Sequence, residues 1–235
     1  MVVYMLYMKA ELENIASLNI VQDGTASFCF SVRNPYDPTQ IRDHVVVDTS
    51  ILHQPSLTNA QGQQQKHRKE QKPFHFSMKW GAGIGERATM RILGIEGSQY
   101  QQDDVPNPHR VTPNHEYLEE KIHQRNNNNK NKIKEKLTPD CINAMNNCRS
   151  IITSNDSGHW VPMVAIECHG MEPFAYHPGN TEFWAVSSSS SSNGQQQQGK
   201  IYASPQLDLT DGGDWSDYDL SMGSVSITNL VGEFR

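Results

Sequence analysis

"FSMKWGAGIGE", residues 76–86, sets three glycines at alternate positions directly after a strand-like run. Its reading decides the fold class. A dinucleotide-binding loop has the spacing G-x-G-x-x-G, opens a helix inside a βαβ unit, and would make the chain α/β. Here Gly81, Gly83 and Gly85 are spaced G-x-G-x-G, Glu86 stands where the third glycine belongs, and Ala88 to Ile95 reads as a strand. Without a helix N-terminus there is neither a fan of N–H groups nor a dipole to receive a pyrophosphate. The stretch is therefore read as a tight β-hairpin.

Working outward, period-two alternation and β-branched or aromatic enrichment recur on both sides of it. Strands are predicted at Val2 to Glu13, Ala26 to Val32, Asp43 to Ile51, Phe74 to Lys79 and Ala88 to Ile95, then at Trp160 to Cys168, Thr181 to Ser187, Lys200 to Asp208 and Ser224 to Phe234. Helical patterns occur only at Asn114 to Asn126 and Ile133 to Asn147, the second broken by Pro139 with Thr138 or Asp140 as its cap. Three polar stretches read as surface insertions: Asn59 to Lys72, Gly97 to Lys132 and Ser187 to Gly199. Tracts of Gln, Asn and Ser bury too little apolar area to offset the entropy of ordering. "AELENIASL" (residues 10–18) and "AIECHGMEP" (residues 165–173) both end a strand in apolar-Glu before a turn, an echo that hints at duplication. The expected organisation is β-dominated (all-β), with two related β-sandwich-like halves, 1–110 and 159–235, joined by a polar, helical connection at 111–158.

With 235 residues and 36% apolar content, the packed core is smaller than the chain length suggests. A formal charge of −6 argues against broad nucleic-acid binding, which needs a field of Lys and Arg, and the run KHRKEQK (residues 66–72) is too short and diluted to reverse it. The opening MVVYMLYMKAELE lacks a basic leader and a small-residue cleavage site and soon carries alternating charge, so it reads as a first strand. No apolar run approaches the roughly 20 residues that span a bilayer. The four cysteines, Cys29, Cys141, Cys148 and Cys168, contain no C-x-x-C pair and are expected to be reduced and mostly buried. A soluble cytoplasmic protein is expected.

Catalytic and metal patterns are sparse. His67, His109 and His115 are dispersed in polar insertions, and no H-x-x-x-H, H-E-x-x-H or G-x-S-x-G appears. Cys168 and His169 are adjacent, but neighbours on a strand face opposite ways, which disfavours a nucleophile–base pair and a Cys168 hydrolase. "DLTDGGDWSDYD" carries Asp208, Asp211, Asp214, Asp217 and Asp219 around Trp215 and Tyr218. It lacks the Glu that closes a calcium loop at position twelve, and Asx turns anchoring Trp215 between strands account for it.

Three stretches carry a resemblance: "YMKAELENIASL" (residues 7–18), "VPMVAIECHGMEPFAYHP" (residues 161–178) and "DWSDYDLSMGSVSITNL" (residues 214–230). In the same order, they resemble the patterns L-K-A-x-L-E-N-x-x-x-L, I-x-x-E-C-R-G-x-E-P and D-W-x-D-Y-D-x-x-x-x-x-S-V-x-I of the eukaryotic CXXC-motif-containing zinc-binding protein family. The resemblance implies paired β-rich halves and one zinc held in the N-terminal half by two C-x-x-C knuckles on neighbouring hairpins. On this chain the first knuckle falls on "NPYD", with Asn34 and Asp37 at the cysteine positions, and the second on "KWGAG", with Trp80 and Gly83 there.

The glycine loop thus reads as a knuckle that has kept its hairpin and lost its ligands. Structural zinc needs four donors, and neither Trp80 nor Gly83 supplies one. Packing by Trp80 between the knuckles, with Pro35 and Pro38 stiffening the first turn, is expected to replace the metal's contribution. The alternative is an unconventional zinc site made from Asn34, Asp37 and His44 or His75. The expectation is no metal, no cofactor, no catalytic residue and no nucleic acid or membrane insertion, with a role as a binding or scaffold protein, a subunit beside a protein partner. The family offers no catalytic residues to carry over.

Overall fold

The computed structural model describes residues 1–21, 26–53, 73–81, 87–94, 138–188, 199–203, 206–210 and 212–235. The expected helix at 114–126, most of the three polar insertions, and Ala82 to Glu86 of the glycine loop lie outside them. The described strands are β1 (Val2–Glu13), β2 (Ile15–Ile20), β3 (Ser27–Asn34), β4 (Asp37–Asp48), β5 (Phe76–Met78), β6 (Ala88–Leu93), β7 (Ile151–Thr153), β8 (Val161–His169), β9 (Glu172–His177), β10 (Phe183–Ser187), β11 (Ile201–Ala203), β12 (Trp215–Asp219) and β13 (Gly223–Phe234). One α-helix, α1 (Pro139–Asn147), accompanies them. The fold is all-β with a single described helix, as the alternation predicts.

The strands form three sheets, ordered β12-β13-β1-β8-β6-β5, β11-β10-β2-β7 and β4-β3-β9. All described pairings are antiparallel, and each sheet takes strands from both sides of the 111–158 connection. Segments 1–110 and 159–235 therefore meet inside the sheets. β1 sits at the centre, pairing β13 on one side and β8 on the other. Its alternation carries the fold: Leu6, Met8 and Ala10 point into the main core, where they join Phe28, Phe30, Ile92, Ile166, Phe183 and Ile227. Val3 and Met5 point the other way and pack under α1 with Leu93, Ala165, Cys141 and Ala144. Between β1 and β2, Asn14 adopts φ 54°, a left-handed conformation that Asn tolerates, and the chain crosses there from the six-stranded to the four-stranded sheet.

Of the two caps considered for α1, the helix uses Thr138, whose side-chain oxygen accepts from the Cys141 N–H (3.4 Å), with Pro139 in the first turn. Among the described residues no helix is long and apolar enough to cross a membrane.

Candidate functional site

The glycine stretch does form a hairpin. β5 pairs β6 with Phe76 opposite Met90 and Met78 opposite Ala88, and a strand, not a helix, follows. The "NPYD" stretch is also a tight hairpin, Asn34 facing Asp37 across Pro35 and Tyr36. β4 begins at Asp37, ahead of the Asp43 expected from sequence, because this exposed edge strand carries polar residues and Pro38 where alternation would otherwise mark it.

At the first tip the polar groups are engaged locally. The Asn34 carboxamide accepts from the Tyr36 N–H (3.0 Å) and donates to Gln40 (3.2 Å). The Asp37 carboxylate accepts from the Thr39 hydroxyl (2.6 Å), the Thr39 N–H (3.2 Å) and the Gln40 amide (2.9 Å). Those bonds, the Thr39 hydroxyl first, hold the Asp37 carboxyl below the usual carboxylate range. This is Asx-turn chemistry.

At the second tip Trp80 packs against the main core, and its indole N–H donates to the carbonyl of Gly170 (2.6 Å). Gly170 lies in the turn between β8 and β9 with φ 65°, a conformation that favours glycine. Trp80 thus fastens to the C-terminal "ECHGMEP" motif. Two residues on, Glu172 grips the base of the first hairpin: its carboxylate takes the Arg33 guanidinium in two hydrogen bonds (3.0 and 2.7 Å), across the β3–β9 register. That bond, chiefly, holds the Glu172 carboxyl low. Between the two anchors, Met171 is buried in the main core. Residues 170–172 therefore tie both hairpins to one turn.

Neither histidine of the alternative zinc site turns toward that turn's chemistry. His44 stacks on His177 (4.3 Å between centroids), and His177 Nε2 shares a hydrogen bond with Ser31 Oγ (2.8 Å). His75 is buried, and its Nδ1 accepts from the Ile92 N–H (2.9 Å). Among the described residues no three of His, Cys, Asp and Glu stand close enough to hold a metal ion together. A tetrahedral zinc does not fit the donors at these tips: Trp80 and Gly83 bring none, and Asn34 and Asp37 are spent on their own turn.

Cys168 faces the core, where burial raises its thiol pKa, while His169 is exposed on the opposite side. Burial also pushes the half-buried Cys148 up to about 12. In the acidic cluster Asp208 and Asp219 close Asx turns on Thr210 and Ser221. Trp215 donates its indole N–H to Gln206 (2.9 Å) and meets Tyr202 edge-on (4.9 Å). "WSDYD" is itself strand β12; Asp211 lies outside the described residues.

Sequence reasoning missed a buried polar group beneath α1. Arg91 on β6 pairs Glu167 on β8 (3.5 Å) with both side chains almost fully buried, and the Cys141 thiol on α1 donates to the same carboxylate (3.4 Å). A charged residue in the middle of each apolar run, ATMRIL and VPMVAIECH, was the available signal.

Residues 5–235 match the model of a family described as CXXC motif containing zinc binding protein, eukaryotic. Among solved structures, a hypothetical protein from Plasmodium falciparum is similar over 100% of both chains, with 17% identity and a TM-score of 0.57. The crystal structure of C1orf123 is similar over 100% of this chain and 99% of that one, with 16% identity and a TM-score of 0.58. At those identities the likeness concerns the fold. No curated protein matches the chain.

Proposed function

This chain belongs to the eukaryotic CXXC-motif-containing zinc-binding proteins, and from that starting point we propose that it is a non-enzymatic binding or scaffold protein that folds and works without the family's zinc. The observation that carries this reading is the substitution of one bridge for another. Where two knuckles would meet on a metal, Trp80 and Arg33 both attach to residues 170–172 through side-chain contacts. A fixed first tip then presents apolar side chains to solvent: Tyr36 is 90% exposed, and Ile41 and Val46 project from edge strand β4. That Cys29, Cys141, Cys148 and Cys168 are not joined in disulfides supports a reducing, cytoplasmic setting.

Two measurements test the two parts. Purified protein is expected to contain well under one zinc per chain by elemental analysis and to keep its melting temperature in excess chelator. Near-unit zinc, or a fall in Tm on chelation, would transfer the assignment to a zinc protein with N and O ligands. Affinity purification from the native cell, run with the intact chain and with a Tyr36→Ala/Ile41→Ser double variant, is expected to lose its partner in the variant. Equal recovery from both removes this surface from the binding role.

A further inference from the structure

We propose that His75 is an acid-operated latch that holds β5, and with it the Trp80 turn, against β6. The residue is 3% exposed, its backbone N–H donates to Met90 O (2.9 Å), and its ring Nδ1 accepts from the Ile92 N–H (2.9 Å). An accepting Nδ1 fixes the tautomer with its proton on Nε2, and among the described residues Nε2 has no hydrogen-bond partner. A second proton has to go on Nδ1, where it meets the Ile92 N–H donor to donor. The charged ring is then stable only when it leaves the pocket for water.

The groups facing the ring are Arg91 on β6, His53 beside the Phe74 bridge, and Asp48 at the end of β4. Burial is the largest influence; Arg91 and His53 also disfavour the imidazolium, and Asp48 alone favours it, so that the ring's pKa falls from 6.5 to about 4. The closed state is therefore fully favoured above about pH 6.5 and weakens as pH falls toward 4, since the released ring takes a proton that the latched ring refuses.

Opening is local because the segment is short and lies at a sheet edge, and its apolar side chains Phe76, Met78 and Trp80 are only partly buried against the main core. β5 is three residues long at the edge of its sheet, preceded by the His53–Phe74 bridge and followed by the Trp80 indole bond to Gly170. Release of His75 loosens β5 from β6, leaves the Trp80 bond to Gly170 as the hairpin's remaining tie to the 170–172 turn, and leaves the central β1–β8–β13 strands in place.

Amide hydrogen exchange of the full chain, corrected for intrinsic rates, tests this at pH 7 and pH 5. The Ile92 amide and the amides of residues 76–78 are expected to open more readily than those of β1 and β8 at both pH values. Their protection should fall by about 20- to 30-fold between pH 7 and pH 5. In His75→Phe that fall should disappear. A Ile92 amide that opens only together with β1 and β8, or an undiminished fall in His75→Phe, overturns the latch. Should that variant not fold, imidazole ¹⁵N spectra of the intact protein decide: the Nε2–H tautomer with no protonation near pH 6.5 upholds the proposal, and an Nδ1–H tautomer or an ordinary midpoint sinks it.

Discussion

Trp80→Ala should lower the free energy of unfolding by about 3 kcal/mol, read as a lower urea midpoint at unchanged m. The ring is partly buried against the main core, and its indole N–H satisfies the Gly170 carbonyl at 2.6 Å. Truncation removes that apolar contact and the hydrogen bond together, and the cavity opens at the junction of the second hairpin with the β8–β9 turn. Trp80→Phe keeps most of the packing and loses the hydrogen bond, so a loss of about 1 kcal/mol is expected. Both variants should be as indifferent to chelator as the parent. A loss below about 1 kcal/mol for the alanine variant would show that the ring contributes little where the family's metal would sit.

Glu167→Ala should cost about 3–5 kcal/mol, because it withdraws the carboxylate that faces a guanidinium with only 2% of its side chain exposed. The pair itself is not a strong source of stability. Two desolvated charges recover in mutual attraction roughly what their removal from water costs, so Arg91→Met/Glu167→Leu should be close to the parent or above it. Glu167→Gln should fall between, keeping an acceptor for the Cys141 thiol now 3.4 Å away. Thermal and urea unfolding of the three variants check the pattern. A double variant as damaged as Glu167→Ala would mean that the pair's own attraction, and not the stranded charge, sets the cost.

Strands with alternation were legible in advance: β1 was expected at its observed bounds, and β3, β6, β8, β10 and β13 within a few residues. β2, β7, β9 and β12 were not. β2 follows β1 after the single residue Asn14 and hides in the same run, Pro173 disguises β9, whose partner β3 is distant in sequence, and acidic residues disguise β12 although it pairs with the neighbouring β13. β4 was truncated because its exposed half reads as a loop. Both hairpins at the candidate site were anticipated. The packing of Trp80 was only half anticipated: its ring meets the main core, but its indole bond reaches the C-terminal motif and not the first hairpin.

The division follows from range. Side-chain type and local spacing were enough to indicate a β chain, a hairpin at the glycine stretch and a helix capped by Thr138 or Asp140, because each depends on neighbours a few residues apart. Which distant groups meet is settled by sheet register: Arg33 with Glu172 across 139 residues, Trp80 with Gly170 across 90, and Arg91 with Glu167 between adjacent strands β6 and β8. A one-residue slip in any of those ladders would turn the same side chains to the other face, so the contacts on the 170–172 turn and the buried ion pair exist only once the strands have aligned.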